Sequence, residues 1–290
     1  LYEKPSFYGN YKVVGLKPHN QNKITQYVLY QNGLSQNGMD SSGHSIYAFN
    51  YVLDALSELS NIGNALVLGL GSGTISEKLS SKGFKIDAVD IDPITLDIAK
   101  NFFRYKPKNT SFFFEDARTY VKKCEKKYDL IIIDLFFADG VPEHLTTKEF
   151  YKNLDNCLND NGVVLSNSLM DFSNKLALNS VLSTFSNQFD DLHFFHAPGA
   201  EVGNLYIVAG KNGTSKRVEG LNVSLDFIPK GIKPKIIQVL RNAKKFKKED
   251  FNDQNILYDE KNQFSIIFAE ILPKYRKLVT SSIPSRILIN

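Results

Sequence analysis

The chain has 290 residues and a mass of 32.7 kDa, with 42% hydrophobic, 23% charged and 12% aromatic residues. That is the make-up of a globular protein of one or two domains, and it excludes disordered and collagen-like chains. With 35 Lys and Arg against 31 Asp and Glu the net charge is only +4, too small to argue for a nucleic-acid partner, and none is expected.

The two cysteines, Cys124 and Cys157, fall in stretches that read as helix. They are expected to be reduced structural thiols in a reducing, cytoplasmic setting. No window approaches ~18 uninterrupted apolar residues, and the opening Leu1-Tyr2-Glu3-Lys4-Pro5 matches neither a signal nor a transit peptide. These residues are therefore not expected to cross a membrane. A start at Leu1 in place of Met also fits the soluble part of a longer protein whose membrane segment is absent.

In chain order, residues 11–15 and 24–30 read as short strands, with Asn32-Gly33 and Asn37-Gly38 as turn dipeptides. Residues 1–45 are expected to form a small N-terminal β-hairpin domain. From 46 to 212 apolar strand-like runs alternate with helical patterns. Strands are expected over 65–69, 85–91, 111–114, 128–134 and 163–166. Helices are expected over 75–81, 94–105, 118–124, 148–158 and 175–189, with Asn161-Gly162 stopping the fourth. Strands over 192–196 and 204–209, joined through Pro198 and Gly199, complete an antiparallel hairpin at a sheet edge. The expected fold is α/β: a Rossmann-like doubly wound sheet ending in that hairpin. Residues 213–290 read as a less regular C-terminal extension. Its basic run of Lys230, Lys233, Lys235, Arg241, Lys244, Lys245, Lys247 and Lys248 reads as a solvated face, with an anionic partner or membrane surface as the alternative.

Gly69-Leu70-Gly71-Ser72-Gly73-Thr74 follows the first buried strand and opens a helix. There the backbone passes close to a ligand and helix amides lack partners. Gly69, Gly71, Ser72 and Gly73 are the candidate loop residues; a merely tight strand-to-helix turn is the alternative. The spacing lacks the third glycine of the dinucleotide fingerprint, and no Gly-Lys-Ser/Thr triphosphate loop occurs. About 20 residues on, Asp90 in Val89-Asp90-Ile91-Asp92-Pro93 stands where a carboxylate accepts from both ribose hydroxyls. Asp92, before Pro93, reads as a helix cap. In Glu115-Asp116-Ala117, Asp116 is placed to accept from an adenine amino group. Three such elements at three successive strand ends imply an adenosine site.

The order of glycine loop, ribose acid, Glu-Asp-Ala and Tyr128-Asp129-Leu130-Ile131-Ile132-Ile133-Asp134 resembles the S-adenosylmethionine-dependent transferases. More narrowly it resembles the spermidine synthase family of polyamine aminopropyltransferases. Phe7-Tyr8-Gly9, Asn32-Gly33-Leu34-Ser35-Gln36 and Val141-Pro142-Glu143-His144-Leu145-Thr146-Thr147-Lys148-Glu149-Phe150 point to that branch. The last stretch is similar to spermidine synthase-like domains fused to membrane transporter segments. The resemblance covers about residues 7 to 210. It implies a β-rich N-terminal domain, a Rossmann-like catalytic domain, a dimer, a small amine substrate and Gln36 among the nucleoside ligands.

A sulfonium nucleoside needs mainly an aligned nucleophile and a group to remove its proton. An amine is mostly protonated at neutral pH, so a carboxylate beside the sulfonium holds the ammonium and then assists its deprotonation. Asp134 is the candidate, with helix or loop capping as the alternative; in the family it resembles, the matching aspartate begins an Asp-Ser-Ser-Asp-like motif. Here that motif reads Asp134-Leu135-Phe136-Phe137-Ala138-Asp139, with Asp139 as a displaced second carboxylate. The acceptor motif reads Tyr47-Ala48-Phe49 and a later polar segment reads Ser166-Asn167-Ser168-Leu169. Ser72 stands where the family has an aspartate for the donor's amino group. Tyr47, Asp139 and His144 are the candidate substrate residues, with capping an alternative for His144. Tyr258-Asp259-Glu260 is either a cover for the site or a solvated turn. His44, His193 and His196 show no metal-ligand spacing with the cysteines, and no metal is expected. The expected reaction is aminopropyl transfer from decarboxylated S-adenosylmethionine to an amine, releasing methylthioadenosine. The alternatives are a methyltransferase or a lyase acting on S-adenosylmethionine itself, and a non-catalytic nucleoside sensor.

Overall fold

The structure is a computed structural model, and it describes residues 1–18, 22–136, 140–226, 228–247, 249, 253–269, 271, 273–274 and 276–277. Asp139 and Lys248 lie outside the described residues.

Four strands, β1 (Tyr2–Ser6), β2 (Gly9–Leu16), β3 (Gln26–Gln31) and β4 (Leu34–Asp40), form an antiparallel sheet in the order β1-β2-β3-β4. β1 has mostly exposed residues and contains Pro5; as an edge strand it carries no apolar alternation to signal it. Asn32-Gly33 makes the β3–β4 turn with both residues at positive φ, 51° and 81°, as a two-residue hairpin of the primed type requires.

Asn37-Gly38 is not a turn, contrary to expectation. It lies inside β4, where the register passes from Leu29↔Asn37 to Tyr30↔Ser35 and leaves Gln36 as a bulge residue. Gly38 is needed there for close packing, because a Cβ would stand 2.7 Å from side-chain carbons of Ile46. Tyr11, Val13, Leu29 and Met39 pack against Ile94, Ile98 and Phe103, which seats the small sheet on α3 (Ile94–Phe102).

Eight strands form the second sheet. They are β5 (Asn64–Leu68), β6 (Lys85–Asp90), β7 (Thr110–Phe114), β8 (Tyr128–Ile133), β9 (Leu158–Asp171), β10 (Asp191–Phe195), β11 (Val202–Gly210) and β12 (Lys244–Lys245). The order is β12-β10-β11-β9-β8-β5-β6-β7. β5 through β9 pair in parallel, and β9, β11, β10 and β12 pair antiparallel. The chain runs outward from β5 through β6 to β7 and then returns to lay β8 on the other side of β5. That reversal is the point where open α/β sheets bind ligands, beyond the strands' carboxyl ends.

The apolar run of β8 is buried on both faces. Ile131 and Ile133 face one core with Phe150, Leu154, Leu182 and Phe185, and Leu130 and Ile132 face the other with Val52, Leu56 and Leu79. The first core lies under α4 (Ala117–Lys122), α5 (Lys148–Cys157) and α6 (Lys175–Gln188). The second lies under α1 (Ala48–Leu56) and α2 (Thr74–Ser81).

Asn161-Gly162 does not end α5, which stops at Cys157; β9 begins at once, and these residues form an irregularity where Tyr128↔Leu158 jumps to Leu130↔Val163. β9 continues to Asp171 because β11 pairs with it throughout, a non-local cause absent from local sequence. Beyond residue 213, Val218 of α7 (Thr214–Glu219) and Ile236 and Val239 of α8 (Lys233–Arg241) join the second core. Phe246, Leu257 and the Phe264 and Phe268 pair of α9 (Phe264–Ala269) join the first. Most of the basic run is exposed, and Lys244 and Lys245 form the edge strand β12, where lysines discourage further strand pairing. Among the described residues no helix is long and apolar enough to cross a membrane.

Candidate active site

Beyond the carboxyl ends of β5, β6, β7 and β8 lies a cleft of about 230 Å³. Its first wall is the loop after β5. Gly69 has φ +93°, and a Cβ there would stand 2.2 Å from the backbone oxygen of Asp134. Gly71, at φ +52°, faces open space and lines the cleft. Gly73 serves a different purpose from the one expected of it. It caps α2 at φ +73°, and a Cβ would strike the Tyr105 ring at 2.6 Å. Ser72 likewise turns from the cleft: it is fully buried, and its hydroxyl meets that of Thr74 at 2.7 Å. Both residues are taken up by helix packing, so the loop presents Gly69 and Gly71.

Asp90 ends β6 beside this loop. Its Oδ2 accepts from the Leu70 amide and its Oδ1 from the Asp92 amide, each at 2.9 Å. The Gly71 amide also bonds to this carboxylate, and the remaining acceptor capacity faces the cleft. Burial pushes the Asp90 carboxyl up, partly countered by these amides. The N-cap of α3 is Pro93 and not Asp92, but Asp92 Oδ1 still accepts from Ile94 N, at the start of that helix, at 3.1 Å. Its Oδ2 accepts from the Ser6 hydroxyl at 2.5 Å, tying the small sheet to the loop after β6.

Asp116 lines the cleft and caps α4, Oδ1 accepting from Thr119 N at 2.9 Å. Its Oδ2 lies 3.0 Å from His144 Nε2. Burial raises its carboxyl, but the His144 ring and the Thr119 amide outweigh that and hold it below the usual range. The expected adenine acceptor thus already has a partner, and His144, expected to hold substrate, is that partner. His144 sits on a short 3-10 turn, Glu143–Leu145, braced from the tail. Arg118 Nη1 donates to His144 O at 2.7 Å and to Asp259 Oδ1 at 2.8 Å, and Arg118 Nη2 pairs with Asp259 Oδ2. Asn262 Nδ2 donates to Glu143 O at 2.8 Å. The Tyr258-Asp259-Glu260 stretch therefore buttresses the turn that carries His144.

Asp134 follows β8 at the switch point, its amide donating to Leu68 O at 2.9 Å. Its Oδ1 accepts from Asn167 Nδ2 at 2.8 Å, and Asn167 Oδ1 accepts from Asn204 Nδ2 at 2.9 Å. Burial pushes the Asp134 carboxyl up to about 6, with the Asn167 amide pulling partly back. The small sheet closes the cleft with Tyr8, Tyr11, Gln31 and Gln36. Gln31 Nε2 donates to Tyr8 O and Tyr11 Oη, both at 3.0 Å. Tyr47 and Phe49 add an aromatic wall, their rings 6.0 Å apart.

Of the candidates, Gln36, Tyr47, Gly69, Gly71, Asp90, Asp116, Asp134 and His144 meet in one cleft. Sequence reasoning missed Tyr11, Gln31 and Asn204 as site residues. Tyr8 was visible only as part of Phe7-Tyr8-Gly9. Gln31, a polar residue closing an apolar strand, was the available signal; Asn204 offered none. Among the described residues no group of three or more His, Cys, Asp or Glu is placed to hold a metal ion.

A cleft so placed, at the switch point of a parallel sheet, is where open α/β sheets take their ligands, and the sheet has the S-adenosylmethionine methyltransferase-like fold. The family model of the spermine/spermidine synthase domain matches residues 54–214, more than half of the chain, and the chain belongs to that family. The polyamine aminopropyltransferase of Vibrio vulnificus is 33% identical over 150 residues, covering 50% of this chain and 49% of that protein. The N-terminal histidine N-methyltransferase of Emericella nidulans is 36% identical over 130 residues, 42% of this chain and 23% of that protein. The chain spans about half the length of the first of these relatives, or less. A probable spermidine synthase from Corynebacterium glutamicum superposes with a TM-score of 0.64 at 15% identity, over 76% of this chain and 85% of that one. At that identity the likeness establishes the fold alone.

Proposed function

We propose that this chain transfers an aminopropyl group from decarboxylated S-adenosylmethionine to an amine. The observation that carries the reading is the position of Asp134: a half-buried carboxylate in the same cleft as Asp90 and the glycine loop. Gly69, Gly71 and Asp90 hold the nucleoside, with the Asp90 oxygens on the ribose hydroxyls and Val89, Ile91 and Leu135 as apolar walls for the base. The acceptor ammonium pairs with Asp134, which takes one of its protons. The freed nitrogen lone pair then attacks the propyl carbon bonded to the sulfonium, and the carbon–sulfur bond breaks with its electron pair going to sulfur. The products are the alkylated amine and neutral methylthioadenosine. A carboxyl titrating near 6 is a better proton acceptor than an ordinary aspartate while still ionised at neutral pH.

A second reading, methyl transfer from S-adenosylmethionine, draws support from Ser72, whose buried hydroxyl leaves the donor's amino group without its expected partner. Incubation with each donor, with and without a diamine panel, separates the readings by mass spectrometry. Amine-dependent methylthioadenosine is the expected product. S-adenosylhomocysteine overturns the first reading in favour of the second, and amine-independent methylthioadenosine means a lyase.

A further inference from the structure

Three neighbouring strands each contribute one polar side chain to a single line of hydrogen bonds. Asp134 follows β8, Asn167 lies on β9 and Asn204 on β11. The β8–β9 register, Ile133↔Ser166, sets Asp134 beside Asn167. In the β9–β11 ladder Asn167 stands opposite Tyr206, so Asn204 is its diagonal neighbour. All three line the cleft.

The direction of the line follows from chemistry. An ionised carboxylate only accepts, so Asn167 must turn its N–H toward Asp134 and its carbonyl toward Asn204, which must donate. If Asn167 flipped, its carbonyl would face the Asp134 carboxylate. Among the described residues the Asn204 N–H, 2.9 Å from Asn167 Oδ1, joins the Asp134 carboxylate in holding it the other way. With Oδ1 of Asp134 occupied, Oδ2 receives no hydrogen bond from the described residues and is left to the cleft.

We propose that Asn204 is a positioning residue for Asp134: by fixing the orientation of the Asn167 amide it keeps Oδ1 occupied and makes Oδ2 the oxygen that takes the proton. The inference rests on the reading of Asp134 as the proton acceptor, but its test does not need turnover. The titratable groups sharing the cleft are Tyr8 and Tyr11 from the small sheet, Tyr47 before α1, Asp90 after β6, Glu115 and Asp116 after β7, and His144 on its 3-10 turn. Tyr206 of β11 is near enough to feel the Asp134 charge.

The experiment is carbon NMR titration of aspartate carboxyls in the full chain, with Asp134→Asn identifying the Asp134 signal. Asn204→Leu removes the donor. Asn204→Asp replaces the donor with an acceptor and adds a charge that by itself raises a neighbouring carboxyl, so it serves as the upper bound on the shift. Both should raise the Asp134 midpoint, Asn204→Leu by about one pH unit, as loss of a hydrogen bond to the charged form does. Asn204→Gln, which keeps the amide, should restore it. In the working enzyme the acid limb of the kcat/KM profile should move by the same amount while nucleoside affinity stays unchanged. An unmoved midpoint in folded Asn204→Leu overturns the inference. Full turnover by Asp134→Asn would instead overturn the functional reading and leave the titration to decide the role of Asn204.

Discussion

The backbone oxygen of Asp134 lies 2.2 Å from where a Cβ on Gly69 would stand, so the glycine loop and the end of β8 meet through main chain alone. The loop and the acid at the two sides of the cleft are set against each other before any side chain is placed. Gly69→Ala must push these backbones apart and also hold φ at +93°. It should cost more than about 2 kcal/mol in urea unfolding and weaken methylthioadenosine binding. Gly71→Ala, at φ +52° with open space around it, should cost only about 1 kcal/mol. Equal losses in the two variants would mean that the close approach has no energetic consequence.

On the proposed function, Asp134 should set a pH dependence of stability as well as of rate. Its folded carboxyl titrates near 6, above an unfolded value of about 3.9, so between the two the native state keeps a proton that the unfolded state has released. Stability therefore falls as pH rises through that window, and the charged form costs about 3 kcal/mol above about pH 6.5. Asp134→Asn should be more stable than wild type by that amount at neutral pH, with the gain vanishing toward pH ~4. Its turnover should drop about 10²- to 10⁴-fold while methylthioadenosine binding is retained. Wild-type turnover at neutral pH removes Asp134 as the proton acceptor.

The parallel half of the fold was readable because each of its signals is local. Buried runs such as 128–133 carry their own apolar record, and the glycine loop, Asp90 and Asp134 all sit at strand ends. What escaped was set by distant partners. The length of β9 depends on β11, and β1 is an edge strand with little to bury. Asn37-Gly38 matches a hairpin turn in composition yet is drawn into β4 by packing of Gly38 on Ile46. In the site, Ser72 and Gly73 occupy the expected loop, but Thr74 and Tyr105 claim them for the helix. Asn204 gained its place only when β11 paired beside β9.

Asp90 holds the loop and faces the cleft with the same two oxygens. Asp90→Asn keeps its size but offers one acceptor where the Leu70 and Asp92 amides need two. A hydrogen bond to a charged group contributes about 1.5–3 kcal/mol, so methylthioadenosine affinity by calorimetry should fall roughly 10- to 100-fold. Unchanged affinity would show that the ribose is held elsewhere.

The tail reaches the site through Arg118, whose guanidinium spans Asp259 and the carbonyl of His144. Arg118 holds the Asp259 carboxyl below its usual range, more than offsetting the rise from burial. The pair is partly exposed, so Asp259→Asn should cost under about 1 kcal/mol of global stability. Its effect should appear locally, at the backbone hydrogen bonds that close the Glu143–Leu145 turn, Leu145 N to Pro142 O and Thr146 N to Glu143 O. Those two amides should exchange faster in Asp259→Asn while amides of β8 stay as protected as before. Freed from its brace, His144 should hold Asp116 less firmly, and nucleoside affinity should fall about fivefold, the equivalent of about 1 kcal/mol. Unaltered exchange at Leu145 and Thr146 would mean that Asn262 and the Phe264 packing alone hold the turn, and that Asp259 plays no part in shaping the cleft.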